Sequence, residues 1–339
     1  MRIFSADTLE SAIRRLLTAR GLAAAHVADV SAALVQTSLD GIDTHGVRLL
    51  KTYIQELDGG RAKRKPNMQL QGALPAIGVL DADDALGAVA MSEAMRIACD
   101  RAAQFGIAAV AVANSNHFGA AGHYARIAVQ RGQVGMIFSN SDALVVPYGG
   151  TQPLNGTNPL AVAAPGEDGD NFMLDMATSQ AAFSRVSQAL DMGLHVDSNS
   201  LHGSRIVLSG AHTIPVLQPL GGVKGQGLGM AIQILCALLT AMPFDAELSH
   251  LYAAPYDKPR KIAHFVIAIE ISAFVPIAVF RARLGELHEH FRASMPSGES
   301  PVIVPGDRER ASRAERLRNG IPIDDELFFL LEPFMETQD

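Results

Sequence analysis

A chain of 339 residues, 48% hydrophobic and 19% charged, is long enough for roughly two domains with a packed core. Its formal charge of −7 leaves no basic footprint for a phosphate backbone, which excludes nucleic acid as the expected partner. Cys99 and Cys236 are too few and too isolated for a disulfide framework, and the apolar stretch near the C-terminal third is broken by His264, Glu270 and Pro276, so a cytoplasmic protein without a membrane span is expected.

The N-terminal residues Met1-Arg2-Ile3-Phe4-Ser5 lack the layout of a signal peptide and pass straight into an amphipathic pattern. Asp7 with Glu10 three residues on reads as a capping pair, and Leu9, Ile13, Leu16 and Leu17 share one helical face. A second helix carries Val27, Val30, Leu34 and Leu39 and runs into the turn Gly41-Ile42-Asp43-Thr44-His45-Gly46; a third occupies 47–57. Gly59-Gly60, the basic run 61–65 and Pro66 read as a linker. From about residue 75 short β-like runs at 77–80, 107–112, 134–138, 160–164, 172–176 and 265–271 are mixed with a helix over 89–105. Between 164 and 172 there is no room for a crossover helix, so part of the sheet is expected to be antiparallel and a purely doubly wound sheet is not. From 280 a helical period returns in Leu284, Leu287 and Phe291, followed by the loop Val304-Pro305-Gly306-Asp307 and a charged helix to Arg318, expected to pack on the N-terminal helices.

Two histidine segments carry the candidate chemistry. In Asn114-Ser115-Asn116-His117-Phe118-Gly119 a strand ends in small residues before a helix, so backbone N–H groups at the helix start favour an anion and His117 is placed for proton transfer. In the other, Asp43 or Thr44 can orient His45, and Arg48 one turn on can clamp a carboxylate. The same local patterns also fit a structural histidine bonded to a carbonyl, and a helix cap with a surface arginine. The glycine-rich stretch Gly221-Gly222-Val223-Lys224-Gly225 matches neither a dinucleotide fingerprint nor a phosphate loop, although Lys224 can reach a pyrophosphate or carboxylate. His288 and His290 point to different helix faces and there is no HExxH, so no metal site is expected; the serine-hydrolase elbow is also absent.

Taken together with Pro147-Tyr148-Gly149-Gly150, Gly156-Thr157-Asn158-Pro159-Leu160 and Leu174-Asp175-Met176-Ala177-Thr178-Ser179, these segments make nearly the whole chain resemble the malate/L-lactate dehydrogenase family that is unrelated to the Rossmann-type enzymes. That resemblance implies a mixed α/β fold with a largely antiparallel cofactor-binding sheet over 71–280 flanked by helices, a helical lobe from 1–70 and 281–339 on the substrate side, and a homodimer; it is not a Rossmann fold. It implies NAD or NADP as cofactor and a small carboxylate as substrate. The implied reaction is hydride transfer to or from C2 of a 2-hydroxy acid of the malate, lactate, ureidoglycolate or sulfolactate type; reduction of cyclic imino acids and a cofactor-binding member without turnover are alternatives. By motif, the resemblance gives His45, His117 and Thr44 catalytic roles, with the proton on either histidine. Arg48, Thr157, Phe183, Ser184 and Arg185 would bind substrate. His117, Phe118, Gly119, Ala120, Ala121, Asp175, Met176, Ala177, Lys224, Pro305, Gly306 and Asp307 would bind cofactor. The chain departs from the family where Leu49 stands at the usual arginine position, at Ser184-Arg185, and over 195–212.

Overall fold

The computed structural model describes residues 1–72, 74–183, 186, 201–207 and 213–335, with the backbone alone for 202–207 and 213–215. Helix α1 (Ala6–Ala19) is capped by Ser5 rather than Asp7: the Thr8 N–H donates to the serine hydroxyl at 3.1 Å, and Asp7 occupies the first turn, where a carboxylate suits the helix dipole. Its face of Leu9, Ile13, Leu16 and Leu17 is fully buried. Helix α2 (Ala24–Leu39) buries Val27, Val30, Leu34 and Leu39. Two tight 3-10 turns, Asp43–His45 and Val47–Leu49, then lead into α3 (Leu50–Gly59).

In the basic run after α3, Lys63 and Lys65 are exposed but Arg61 is not. Arg61 is 2% exposed; its guanidinium donates to the carbonyls of Leu251 at 3.0 Å and Ala253 at 2.7 Å and lies 3.7 Å from the buried Glu56. Composition alone cannot separate such an arginine from its exposed neighbours, because the partners that justify its burial lie nearly two hundred positions away.

The main sheet contains β2 (Gln69–Gln71), β3 (Ile77–Asp81), β4 (Ile107–Ser115), β5 (Gln133–Ser139), β6 (Leu160–Ala164), β7 (Phe172–Met176) and β10 (Ile262–Glu270). Its spatial order is β2-β3-β4-β10-β5-β6-β7. Only β3 and β4, joined by α4 (Gly87–Phe105), pair in parallel; the other neighbours are antiparallel, including β6 with β7 as the short gap between them requires. Helix α5 (Ala121–Gln130) follows β4, and β8 (Leu201–Val207) with β9 (Thr213–Leu217) forms a separate hairpin. Helix α6 (Val223–Gln233) continues into a π-helical turn, Ile234–Leu238.

The two ends of the chain meet. Strand β1 (Arg2–Phe4) pairs with β11 (Ile321–Ile323), helix α8 (Asp307–Asn319) holds α2 through Arg313 on Asp40 and Gln36, and α9 (Asp325–Leu331) packs on α1. Helix α7 (Ile277–Arg292) instead lies beside the turn before β7, where the His288 ring is 3.1 Å from Asp170 and Arg292 grips the same carboxylate at 2.8 and 2.9 Å. One apolar core runs from Leu9 through Met91 and Val110 to Leu331.

Strand β10 lies between β4 and β5, so those two strands run in the same direction and end at the same edge. His264 crosses all three: Nε2 is 2.8 Å from the Ser115 hydroxyl on β4 and Nδ1 is 2.8 Å from the Ser139 hydroxyl on β5. Burial pushes its pKa down from 6.5 to about 3, so the ring is neutral. Below the ordinary imidazole pKa the unfolded chain takes up a proton here that the native chain refuses, and the stability this site contributes falls with falling pH. The stability advantage of wild type over His264→Gln in thermal unfolding is therefore expected to shrink by about 1.4 kcal/mol per pH unit between about pH 6 and pH 4. An advantage independent of pH would show that His264 is not held neutral.

Candidate active site

His117 stands just beyond the end of β4, where the chain is brought tightly against the start of α4. The side-chain amide of the fully buried Asn116 donates to the carbonyls of Asp84 at 3.2 Å and Ala85 at 2.9 Å. Gly87 makes the approach possible, since a Cβ there would lie 2.3 Å from the Asn116 carbonyl oxygen and 2.5 Å from that of His117. Two residues on, Gly119 adopts φ +84°, a left-handed conformation that folds its own N–H back onto His117 Nδ1 at 3.3 Å. The Tyr53 hydroxyl is 3.4 Å from the same nitrogen. An amide N–H can only donate, so Nδ1 accepts and the neutral imidazole carries its proton on Nε2. Burial, reinforced by the neighbouring His45, holds the His117 pKa well below 6.5.

His45 sits on the first 3-10 turn with its ring stacked on that of His117, centroids 5.9 Å apart and planes at 26°. Burial brings its pKa to about 4. Its Nδ1 is 3.0 Å from the Thr44 hydroxyl, which can donate or accept. Asp43 does not orient the ring: Arg316 of α8 takes both its oxygens, with one contact at 2.8 Å, and pins the turn to the C-terminal helix. Arg48 lines the same cavity; its Nε is buried without a hydrogen-bond partner and lies 3.9 Å from Asp324. Leu49, buried, lines it as well.

The cavity between these groups measures about 780 Å³. Of the residues singled out from the sequence, it brings together Thr44, His45, Arg48, His117, Phe118, Gly119, Ala120, Ala121, Thr157, Asp175, Met176, Ala177 and Phe183. Ser184 and Arg185, and much of 195–212, lie outside the described residues. Lys224, Pro305, Gly306 and Asp307 do not line it. Lys224 is exposed at the start of α6, the Pro305 carbonyl accepts the Met173 N–H at 3.1 Å, Gly306 lies against Asn171 and Met173, and Asp307 is bound by Arg292 and Arg310. From that loop it is Arg308 that lines the cavity.

The N-terminus of α5 does not lie open to an outside anion in the manner expected. The Gly122 N–H donates to Asp175 Oδ2 at 2.7 Å, so a carboxylate of the chain itself occupies the position, and burial raises the Asp175 pKa to about 6. The sequence reading also missed Tyr53, Ser139, Asp142 and His250, of which the last three line the cavity. Ser139-Asn140-Ser141-Asp142 is a polar run at the end of a strand, a signal that could have been used. His250 has none: it reaches the site from a long loop.

Two uncharged histidines facing one cavity, one of them with a reversible hydroxyl partner, are groups of the kind that can carry out proton transfer. The malate/L-lactate dehydrogenase family model matches residues 4–332, and the chain belongs to that family. It is 32% identical to malate dehydrogenase of Pyrococcus abyssi over 329 residues, covering 94% of this chain and 90% of that one. Ureidoglycolate dehydrogenase (NAD(+)) of Escherichia coli is 31% identical over 326 residues, covering 96% and 93%. The structure of malate dehydrogenase from Pyrococcus horikoshii superposes with a TM-score of 0.87 at 28% identity, covering 98% of this chain and 94% of that one.

The Gly87 contact is testable. Gly87→Ala is expected to displace the His117 segment and to destabilise the fold by about 1–3 kcal/mol, as overpacking does. Chemical denaturation measures this; unchanged stability would mean that the two backbones do not approach as described.

Proposed function

We propose that this protein moves a hydride between NAD or NADP and C2 of a small 2-hydroxy or 2-oxo acid. The observation that carries the reading is the stacked pair His45 and His117, both neutral, on the wall of a single cavity. The names of the relatives, malate dehydrogenase and ureidoglycolate dehydrogenase (NAD(+)), support it.

A nicotinamide dinucleotide fits the residues present. The small side chains Gly119, Ala120 and Ala121 open one wall to a flat ring, and Asp175, Met176 and Ala177 continue it toward Arg308 as hydrogen-bonding and apolar surface. These groups, with Phe118, would hold the cofactor, which when bound supplies the hydride donor or acceptor. Lys224, Pro305, Gly306 and Asp307 would support it from outside the cavity wall.

The partners of the two Nδ1 atoms divide the work of the histidines. His117 is locked as an Nε2–H donor by the Gly119 amide, and loss of that proton would leave an imidazolide, so its role is to donate a hydrogen bond to the substrate oxygen. His45 is switchable. When the Thr44 hydroxyl accepts from Nδ1–H, Nε2 is free to take the alcohol proton; when the ring is protonated, the same nitrogen returns it. A substrate carboxylate held by Arg48 would lift the depressed His45 pKa by favouring the imidazolium, bringing it nearer the working range. Thr157 and Phe183 would bound the rest of the substrate.

In this reading the N-terminal helical segment brings Thr44, His45 and Arg48 to the substrate, while 71–280 supplies the nucleotide wall together with Thr157 and Phe183 on the substrate side, and Arg308 comes from the C-terminal helices. The protein acts as a homodimer, because Met230, Ile234 and Leu238, one helical turn apart and each about half exposed, form an apolar stripe that a second copy would cover.

With NADH or NADPH and 2-oxo acids, His45→Ala is expected to lower kcat by about 10²–10⁴-fold. His117→Asn, which retains an N–H donor, is expected to lose only about tenfold. The reverse order would reassign the proton to His117. A folded wild-type protein that oxidises neither cofactor with any 2-oxo acid would remove the proposal.

A further inference from the structure

Resting on the reading of this cavity as a 2-hydroxy acid site, we infer that the substrate is a monocarboxylate with an uncharged, apolar side chain. The first observation is the distribution of charge. Among the described residues, Arg48 and Arg308 are the arginines that line the cavity. Arg308 belongs to the first turn of α8, beside Glu309 and next to the Gly306 backbone that lies on β7, the strand of Asp175. Of these two arginines, Arg48, three residues after His45, is left to hold the carboxylate beside the reacting carbon; the N-terminal residue Met1 also lines the cavity.

The second observation is an acidic wall with no free cation among the described residues, Arg185 lying outside them. Asp142 lines the cavity, is 7% exposed, and its Oδ2 has no hydrogen-bond partner. The other oxygen is tied to Arg260, whose side chain is fully buried, donates to the Ser249 carbonyl at 2.8 and 3.0 Å, and does not reach the cavity wall. His250, 3.5 Å from Asp142 Oδ2, adds no positive charge: the Tyr252 N–H donates to its Nδ1 at 3.3 Å, which places the proton of the neutral ring on Nε2, and burial lowers its pKa. A second carboxylate on the substrate would find no guanidinium or ammonium to pair with on that wall among the described residues.

The third observation is what surrounds that wall. The Phe183 ring packs edge-on against His250 with centroids 5.8 Å apart, and Leu144, Leu251 and Ile262 add apolar lining for an alkyl or aryl group beside the uncharged polar Asn140, Ser141, Thr157 and Tyr252. One methylene in such a pocket is typically worth about 10–200-fold in discrimination.

The test is a steady-state comparison, with both NADH and NADPH, of pyruvate, 2-oxobutanoate and 4-methyl-2-oxopentanoate against oxaloacetate and 2-oxoglutarate. The expected result is a kcat/KM for 4-methyl-2-oxopentanoate at least about tenfold above either dicarboxylate. Equal or better use of a dicarboxylate overturns this inference and leaves the dehydrogenase reading standing; no oxidation with any of the acids overturns both. Phe183→Ala gives a second measure, because a ratio within one preparation is independent of how much of it folds. The variant is expected to lose about tenfold more kcat/KM with 4-methyl-2-oxopentanoate than with pyruvate, and an equal loss on both counts against an apolar side-chain site.

Discussion

Three central strands of the sheet meet at one imidazole. His264 on β10 joins the Ser115 hydroxyl of β4 to the Ser139 hydroxyl of β5, both at 2.8 Å, in a fully buried position. Because β10 is antiparallel to both neighbours, β4 and β5 leave the sheet side by side, the first into Asn116 and His117, the second into Asn140, Ser141 and Asp142. The relative position of the histidine loop and the acidic wall therefore depends on a register that one side chain reports on in two directions. A slip of either strand would break a buried hydrogen bond and leave an unsatisfied polar group, which costs more than the bond is worth when made. Phe118, edge-on to the His264 ring at 4.9 Å, carries the same constraint to the cavity wall.

From that frame the site is built by contacts that select hydrogen-bonding roles as well as positions. The two imidazoles on the cavity wall are alike in burial and opposite in freedom. His117 meets a main-chain amide at Nδ1, a partner with no second state. His45 meets a hydroxyl, which has two. The turn that carries His45 is held from the far end of the sequence by Arg316 on Asp43, so the end of the chain fixes the approach of one histidine to the other. Distance in sequence thereby becomes rigidity at the site, the condition under which a small rearrangement of partners, rather than a movement of rings, is enough to transfer a proton.

What could be read in the sequence follows from what is local. The strands at 77–81, 107–115, 160–164 and 172–176, the helix after Gly87, and the antiparallel β6–β7 pair are consequences of short-range pattern and loop length, and they were legible. His45, Thr44 and His117 stood out as motifs, and the fold brings all three to one cavity. Long-range charge pairing was not legible. Arg61 reads as part of a basic linker until the distant Leu251 and Ala253 carbonyls surround it, and Asp43 reads as the partner of His45 until Arg316 claims it. The capture of the α5 N-terminus by Asp175 belongs to the same class: nothing near Gly122 in sequence announces a carboxylate from a different strand.

The pairings bear on how an anionic substrate can enter a chain whose net charge is −7. Three carboxylates that line the cavity have a partner that takes part of their charge: Asp43 has Arg316, Asp142 has Arg260, and Asp175 has the α5 N-terminus with a pKa raised by burial to about 6. Buried charges are tolerated on this condition, and the pairing also shapes the field. Arg316 lies behind Asp43 on α8 and Arg260 behind Asp142, so neither guanidinium competes with Arg48 for a ligand. The cavity thus has a positive point near His45 and a negative, charge-compensated wall at Asp142. In a low-dielectric cavity such a field orients as well as attracts: on the proposal made above, a molecule with one carboxylate and a neutral tail would bind with the carboxylate toward Arg48, which would turn its C2 oxygen toward the two imidazoles.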